Sequence, residues 1–315
     1  MTVSQLRTVT RTQGNNEALR TGEVTPRGFR FAFEEVPVLV HAFRRMVRDL
    51  EFDISEMALT TYLVAKAHGV RFTALPVFLV RGFHHGAILH DPASGIRSPK
   101  DLEGRRVGVN RGYTVTTGVW ARAVLREEYG VGLDRVRWVL SGDEHVAAYR
   151  PPANVEPMTG PRSLEERLTD GELAATIGVN ATSSRLSPLI ADPEEAGFAA
   201  LRERGFYPIN HLVVVRDDLL AERPELGAEI FDAFARAKRL YVGRLRDGSP
   251  ASPGAADPMY RRVMEETGAD PLPYGIEPNR AVLETLVRHA VDQRILDRPP
   301  VLEELFAEST RDLTA

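Results

Sequence analysis

Apolar and polar residues follow two kinds of pattern along most of this chain. The segment Thr73–Val80 (TALPVFLV) is almost entirely apolar, which is typical of a strand buried on both faces. Between Val38 and Leu50 the apolar residues instead recur every three or four positions, which places them on one face of a helix with arginines opposite. Because buried strands and amphipathic helices alternate, the pattern predicts an α/β fold with mostly parallel sheets flanked by helices.

The same alternation extends over the rest of the chain. Further strands are predicted at Phe29–Val36, Phe52–Ile54, Gly86–His90, Val107–Val109, Val136–Leu140, Ala174–Val179 and Leu212–Val215. Helices are predicted at Ala58–Ala67, around Trp120, at Leu164–Leu168 and from Asp217 onwards. At 315 residues the chain is long for a single hydrophobic core, so two domains are expected.

Charge and composition narrow the class of protein. The formal net charge is -4, which gives no overall basic field for nucleic acid. The chain has no cysteine, which excludes disulfides, thiolate metal ligands and a cysteine nucleophile. Met1–Asn16 contains no apolar leader, and no stretch approaches the roughly 18 apolar residues of a membrane span. We therefore expect a cytoplasmic protein with no membrane or nucleic-acid partner; its oligomeric state stays open, a homo-oligomer included.

The segment Tyr113–Gly118 (YTVTTG) follows a predicted strand and opens a predicted helix. Backbone N–H groups at a helix start, together with the hydroxyls of Thr114, Thr116 and Thr117, form a suitable site for an anion. The same pattern also fits simple capping of the helix by one threonine. The anion-site interpretation predicts a small anion as the ligand, and the family resemblance described below makes that anion a carboxylate.

Other polar residues lie near the predicted ends of strands. Ser55 and Glu56 follow a short predicted strand, so Glu56 is a candidate base or hydroxyl acceptor, or simply a carboxylate stabilised at a helix start. Arg81 is a candidate partner for a ligand carboxylate, with a surface ion pair as the alternative. Adjacent strand residues point to opposite faces, so only one of His84 and His85 is expected to face a site.

His211 comes just before the predicted strand Leu212–Val215. A histidine beside a strand is either a hydrogen-bonded core residue or, when protonated, a proton donor. The histidines and Glu56 do not form a close ligand set such as HExxH, so no metal is predicted. The chain also lacks GxSxG and GxGxxG motifs, and no organic cofactor is predicted.

Four segments resemble known proteins. Leu102–Val109 (LEGRRVGV), with the loop and helix behind it, resembles the entry to the second lobe of type II periplasmic-binding-protein folds. Three segments resemble the 4,5-dihydroxyphthalate decarboxylase family. They are Glu51–Leu59 (EFDISEMAL), the segment from Pro76–Phe78 through Arg81, Phe83 and His85, and Tyr207–His211 (YPINH). The likeness runs from about Phe29 to about Tyr241. One departure is Thr10–Asn16, where that family usually has an acidic loop with tyrosine and arginine, and this departure leaves the substrate open.

The resemblance implies a two-lobed fold in which the chain crosses twice between the lobes. Lobe one comprises residues 1–84 and 212–315, and lobe two comprises residues 85–211, with a ligand cleft between them. Ligands of open α/β sheets bind beyond the carboxyl ends of strands, which adds Arg11 and Asn180 to the substrate-binding candidates. At the first crossing the resemblance favours His85 over His84.

The resemblance also implies a cofactor-independent decarboxylase of a hydroxylated aromatic di-acid. In that mechanism His211 or His85 protonates a ring carbon, Glu56 accepts a hydrogen bond from a substrate hydroxyl, and CO2 leaves. The implied substrate contacts are Ser55, Arg81, His84 and the segment Tyr113–Thr117. Two alternatives stay open: a solute-binding protein or sensor for a small carboxylate, and a dehydratase-like lyase on the same fold.

Overall fold

The computed structural model describes residues 4–249 and 252–315, and their contacts divide the chain into two units. Unit 1 comprises the described residues of Met1–Arg81, Ile209–Glu284 and Pro300–Ala315. Unit 2 comprises Gly82–Pro208 and Thr285–Pro299. The chain thus changes units four times, after Arg81, Pro208, Glu284 and Pro299, whereas the sequence predicted two crossings, after residues 84 and 211. Residues 285–299, predicted with the first lobe, pack within unit 2.

Strands and helices alternate in both units. The strands are β1 (Ser4–Val9), β2 (Phe29–Phe33), β3 (Ile54–Ala58), β4 (Phe72–Arg81), β5 (Ile88–His90), β6 (Arg106–Val109), β7 (Arg137–Leu140), β8 (Val155–Pro157), β9 (Ala175–Ile177), β10 (Ser187–Pro188) and β11 (Ile209–Arg216). The helices are α1 (Gly14–Arg20), α2 (Leu39–Asp49), α3 (Leu59–Ala67), α4 (Thr116–Tyr129), α5 (Leu164–Thr169), α6 (Pro193–Arg204), α7 (Asp217–Glu222), α8 (Leu226–Arg246), α9 (Asp257–Thr267) and α10 (Arg280–Asp292). None of the helices in the described ranges is long and apolar enough to cross a membrane.

Unit 1 is built on a five-stranded sheet in the order β2-β1-β3-β11-β4. β1 is parallel to β2 and β3, whereas β11 runs antiparallel to both β3 and β4. The carboxyl ends of β1, β3 and β4 therefore meet the start of β11 at one edge of the sheet, which we call the carboxyl edge. Arg11, Glu56, Arg81 and His211 all lie at or next to this edge.

Strand β3 begins two residues later than the predicted strand Phe52–Ile54. Ser55 and Glu56 were predicted to follow this strand, and this is wrong, because both lie within β3. β3 has hydrogen-bonded neighbours on both sides, β1 and β11, and every one of its residues is buried. Backbone hydrogen bonding to strands on both sides keeps this segment a strand although two of its side chains are polar. The alternative of a helix-start carboxylate is also wrong, because α3 begins only at Leu59.

Helix α1 begins at Gly14, inside the segment Thr10–Asn16 that was predicted to be a loop. The Asn16 side chain closes the first turn, since its Oδ1 accepts a hydrogen bond from the Gln13 N–H at 3.0 Å. α1 packs closely on α8: a Cβ atom on Gly14 would lie 2.1 Å from the ring of Tyr241. Only a residue without a side chain fits at this contact.

Gly14→Ala is expected to lower the free energy of unfolding by about 1–3 kcal/mol, because the Tyr241 ring must shift to admit the methyl group. Gly243→Ala is the matched control. Gly243 lies in α8 with no atom within 4 Å of its Cβ position, so alanine there should stabilise by up to about 1 kcal/mol. Denaturant titration followed by circular dichroism measures both variants. Equal stability of the two would contradict this packing.

Unit 2 is built on a six-stranded sheet in the order β10-β5-β9-β6-β7-β8. Strands β9, β6, β7 and β8 are parallel, and β5 and β10 join through antiparallel pairings. The predicted strand Gly86–His90 is shorter than expected, since His85–Ala87 forms a 3-10 turn and β5 covers only Ile88–His90. Strand alternation therefore does not separate His84 from His85, and both side chains are buried.

His289 is a buried histidine of α10, with 1% of its side chain exposed. Burial and the neighbouring Arg288 lower its pKa to about 4; Arg126 adds to this effect, whereas Glu127 and Asp292 oppose it. The folded protein therefore keeps the imidazole neutral at pH values at which the unfolded chain protonates it. Stability should be unaffected above about pH 6.5 and should fall by up to about 3 kcal/mol as the pH drops towards 4.

Denaturant midpoints between pH 7 and pH 4 measure this loss, and His289→Phe should make the dependence shallower. The same slope in wild type and His289→Phe would show that other groups cause it.

Candidate active site

The carboxyl edge of unit 1 holds a carboxylate–histidine pair. In the ladder between β3 and β11, His211 lies opposite Ala58, and Glu56 lies opposite Val213. Residues two apart on a strand share a face, so the side chains of Glu56 and His211 are diagonal neighbours on one face of the sheet. His211 Nδ1 lies 2.6 Å from Glu56 Oε1. The strand register thus produces the pair.

Glu56 is fully buried, and both of its carboxylate oxygens have partners inside unit 1. Oε1 contacts His211, and Oε2 accepts a hydrogen bond from the backbone N–H of Arg11 at 2.8 Å. The Arg11 backbone is held in turn, because Asn16 Nδ2 donates to its carbonyl at 2.8 Å. Each oxygen thus has one partner within unit 1, and the contact with Oε1 orients the imidazole of His211. That Glu56 also accepts a hydrogen bond from a substrate hydroxyl stays a prediction.

His211 keeps its second ring nitrogen open. β11 begins at Ile209, earlier than predicted, so His211 lies inside the strand, where the pairing with β4 is irregular. Phe43 packs edge-on against the imidazole, with ring centroids 5.2 Å apart. The His211 side chain is 15% exposed, and its Nε2 has no hydrogen-bond partner within residues 4–249 and 252–315. An imidazole held at Nδ1 by a carboxylate and open at Nε2 is suited to proton transfer through Nε2.

Arg81 ends β4 at the carboxyl edge and is 5% exposed. Its guanidinium donates to Oδ1 of Asn279, whose Nδ2 donates to two backbone carbonyls of the preceding turn at 2.9 and 2.8 Å. Burial raises the pKa of Tyr260 to about 12; Arg81 opposes this rise and Glu56 adds to it. The Tyr260 hydroxyl is therefore close enough to Arg81 and to Glu56 for both charges to act on it. Arg81 is buried, which does not fit the alternative of a surface residue.

Three other predicted substrate contacts occupy different surroundings. Ser55 points away from Glu56, as adjacent strand residues do; it is fully buried, and its hydroxyl donates to the Glu56 carbonyl at 2.7 Å. The Arg11 side chain is exposed at the carboxyl edge. In unit 2, Asn180 is exposed in the loop after β9. Of the three, only Arg11 contacts a side chain of the Glu56–His211 pair, and it does so through its backbone N–H.

His85 belongs to unit 2 and is fully buried there. Its Nε2 lies 3.1 Å from both carboxylate oxygens of Glu128, which also accepts a hydrogen bond from Arg204. His85 Nδ1 has no hydrogen-bond partner in the described residues, but it is buried, whereas the His211 side chain is 15% exposed. His211 is therefore the better candidate for the proton donor. His84 precedes the turn and is 5% exposed. In the described part of the chain, no three His, Asp or Glu side chains are grouped so as to hold a metal ion.

The turn Tyr113–Thr117 of unit 2 binds a carboxylate, and that carboxylate belongs to Glu144 of the same unit. The Tyr113 N–H donates to Glu144, and the N–H and hydroxyl of Thr114 donate to its Oε2 at 3.2 and 2.6 Å. Helix α4 begins at Thr116 with Val115 as its N-cap residue, so the alternative of capping by a threonine is wrong. Thr116 is buried and Thr117 half-buried. The predicted anion-binding chemistry is present, but an internal carboxylate uses the first part of the turn.

Three partner residues were missed by the sequence analysis: Glu144, Glu128 and Asn279. Glu144 lies shortly after the carboxyl end of β7, where ligands of open α/β sheets bind, so its position was a usable signal. Glu128 lies on α4 and Asn279 in the 3-10 turn Glu277–Asn279, and neither belongs to a motif. Their roles depend on long-range packing.

Solved structures share the fold of this chain. The desulfurization enzyme DSZB aligns with a TM-score of 0.57 at 16% identity and covers 96% of both chains. The alkanesulfonate-binding protein SsuA from Xanthomonas axonopodis pv. citri aligns with a TM-score of 0.51 at 14% identity, over 96% of this chain and 98% of that chain. SsuA from Escherichia coli gives 0.51 at 12% identity, over 99% of this chain and 100% of that chain. The protein is therefore an α/β protein of the type II periplasmic-binding-protein class, as predicted.

Curated relatives define the family more closely. No family model matches the chain. A 4,5-dihydroxyphthalate decarboxylase from Comamonas testosteroni is 32% identical over 283 residues, which cover 84% of each chain. Another from Pseudomonas putida is 36% identical over 168 residues, 49% of this chain and 65% of that protein. The chain belongs to the 4,5-dihydroxyphthalate decarboxylase family, and it is an enzyme of the carboxy-lyase class.

Proposed function

We propose that this enzyme decarboxylates a hydroxylated aromatic di-acid such as 4,5-dihydroxyphthalate, without a cofactor, at the Glu56–His211 pair. The names of the two relatives support the substrate class. The SsuA proteins, named as sulfonate-binding proteins, show that this fold accommodates small anions. The observation that carries the proposal is the 2.6 Å contact of His211 Nδ1 with Glu56, which leaves Nε2 open.

The chemistry of the substrate explains why a proton donor is the central requirement. Direct loss of CO2 from an aromatic ring leaves an aryl anion whose charge the π system cannot delocalise. Protonation of the carboxylate-bearing carbon avoids that anion, because a hydroxyl para to this carbon feeds electrons into the ring. The C–C bond then breaks, its electrons restore the aromatic ring, and CO2 departs. In 4,5-dihydroxyphthalate each carboxylate is para to a hydroxyl, and the product is 3,4-dihydroxybenzoate, with one proton consumed per CO2 released.

The roles of the two residues follow from their geometry. Protonated His211 donates from Nε2 to the ring carbon and keeps the proton on Nδ1, which bonds to Glu56. The buried carboxylate stabilises the imidazolium before transfer and fixes the plane of the ring. The Arg11 N–H fixes the carboxylate in turn. The cycle requires only an acid and an electron-donating hydroxyl, and this supports a reaction without a cofactor.

The test is an assay of the purified enzyme, treated with chelator and desalted, with 4,5-dihydroxyphthalate and with phthalate. We expect equal amounts of CO2 and 3,4-dihydroxybenzoate from the hydroxylated substrate and neither product from phthalate, which has no para hydroxyl. Turnover of phthalate would contradict the protonation route. Activity that disappears with chelation and returns with a metal ion would contradict the cofactor-independent part of the proposal.

A further inference from the structure

Unit 2 contains a cavity of about 160 Å³ between helices α4 and α10 and the residues that follow α6. It includes neither residue of the Glu56–His211 pair and no residue of the Tyr113–Thr117 turn. Its apolar wall is formed by Ala123, Val124 and Phe206. An apolar cavity of about 150 Å³ is known to hold one benzene molecule, so this cavity has room for a single six-membered ring.

His289 lines this cavity and is a buried polar group without a hydrogen-bond partner among the described residues. Its side chain is 1% exposed, and neither ring nitrogen has a hydrogen-bond partner within residues 4–249 and 252–315. Glu127 Oε1 is 3.8 Å from Nε2, beyond hydrogen-bonding distance. A neutral imidazole offers one donor and one acceptor, and leaving both unused in a buried position is costly. A ligand hydroxyl would satisfy one of them.

The charges of the residues around the cavity balance in pairs. Arg288 pairs with Glu127 at 2.8 Å, and Arg204 pairs with Glu128. Each cation at the cavity thus has its own carboxylate, and an anionic ligand would have to displace one of these carboxylates. The lining favours a ligand that is uncharged, in contrast to the di-acid proposed for the Glu56–His211 pair.

We propose that this cavity binds a small neutral phenol, with its ring against Phe206 and its hydroxyl hydrogen-bonded to His289. The site is separate from the decarboxylation chemistry and does not depend on it. A phenol matches the cavity in size, in its apolar ring and in its single hydroxyl. Benzoate has a ring of the same size but carries a charge that the lining does not balance.

Isothermal titration calorimetry with phenol and with benzoate at pH 7.5 tests the proposal on the full-length enzyme. We expect saturable binding of one phenol per chain and binding of benzoate at least ten-fold weaker. His289→Phe keeps the ring but removes both nitrogens, and we expect at least ten-fold weaker binding of phenol, the effect of one lost hydrogen bond. Thr285→Phe fills the cavity from its half-buried rim and should abolish binding.

His68→Phe, which changes an exposed histidine of unit 1, is the matched control and should bind phenol as wild type does. No saturable binding to wild type up to about 10 mM phenol would overturn the proposal. Unchanged phenol binding by Thr285→Phe would also overturn it, once thermal denaturation shows that this variant is folded. Tighter binding of benzoate than of phenol would overturn it as well. All of these readouts are independent of turnover, so they stay informative if the proposed decarboxylase substrate proves wrong.

Discussion

His211→Asn is expected to lower kcat for decarboxylation about 100- to 10,000-fold, the usual contribution of a positioned general acid. The asparagine amide nitrogen lies near the position of Nδ1 and can still donate to Glu56, but nothing remains at the position of Nε2. The ring carbon must then take its proton from water. Substrate affinity, measured by calorimetry, should change little, because the variant keeps the contact that organises the site.

Two controls distinguish loss of the acid from loss of structure. His211→Gln places an amide nitrogen near the position of Nε2 but offers no acidic proton, so it should be as inactive as His211→Asn. His68→Asn alters an exposed histidine and should keep full activity. If His211→Asn turned over substrate as fast as wild type, His211 would have no part in the chemistry.

Glu56→Gln is expected to reduce kcat by about 1,000-fold, because an amide cannot satisfy both neighbours of this carboxylate correctly. The Arg11 N–H needs an acceptor, so the glutamine oxygen must face Arg11 and its NH2 group must face His211. A donor opposite Nδ1 stabilises the wrong tautomer of the imidazole and opposes its protonation. The expected result is therefore a loss of kcat that exceeds any change in KM.

The matched control is Glu51→Gln. Glu51 is a half-exposed residue in the segment before β3, and its carboxylate pairs with Arg45. The substitution should have no effect on kcat. Glu56→Ala should in addition destabilise unit 1 by about 1–3 kcal/mol, because it leaves the Arg11 N–H and His211 Nδ1 without an acceptor. Steady-state kinetics and denaturant titration measure the two effects. Wild-type kcat in Glu56→Gln would show that the carboxylate has only a structural role.

Most of the fold could be predicted because its strands and helices have strong periodic patterns. The apolar run Thr73–Val80 lies within β4, and the helical spacing from Val38 to Leu50 corresponds to α2. The errors fall where local polarity and tertiary pairing disagree. Ser55 and Glu56 are polar, yet β3 is paired on both sides, so the strand continues through them. His85 begins a 3-10 turn after β4 has ended at Arg81, and a pattern of period two cannot indicate such a turn.

The candidate site was predictable as single residues but not as an arrangement. Glu56 and His211 were each identified from their positions near strand ends and from the family resemblance. They are 155 residues apart, and their contact depends on the antiparallel register of β3 and β11, which no local pattern encodes. The same is true of Glu144, which lies 30 residues beyond Thr114 and engages the turn expected to hold a ligand.

Chemical rescue of His211→Ala tests most directly whether His211 supplies the proton. The measurement is kcat at saturating 4,5-dihydroxyphthalate with increasing free imidazole. We expect almost no turnover without imidazole and a saturable return of CO2 release as imidazole fills the space beside Glu56. Wild-type turnover by His211→Ala with no imidazole present would contradict the assignment of the proton donor.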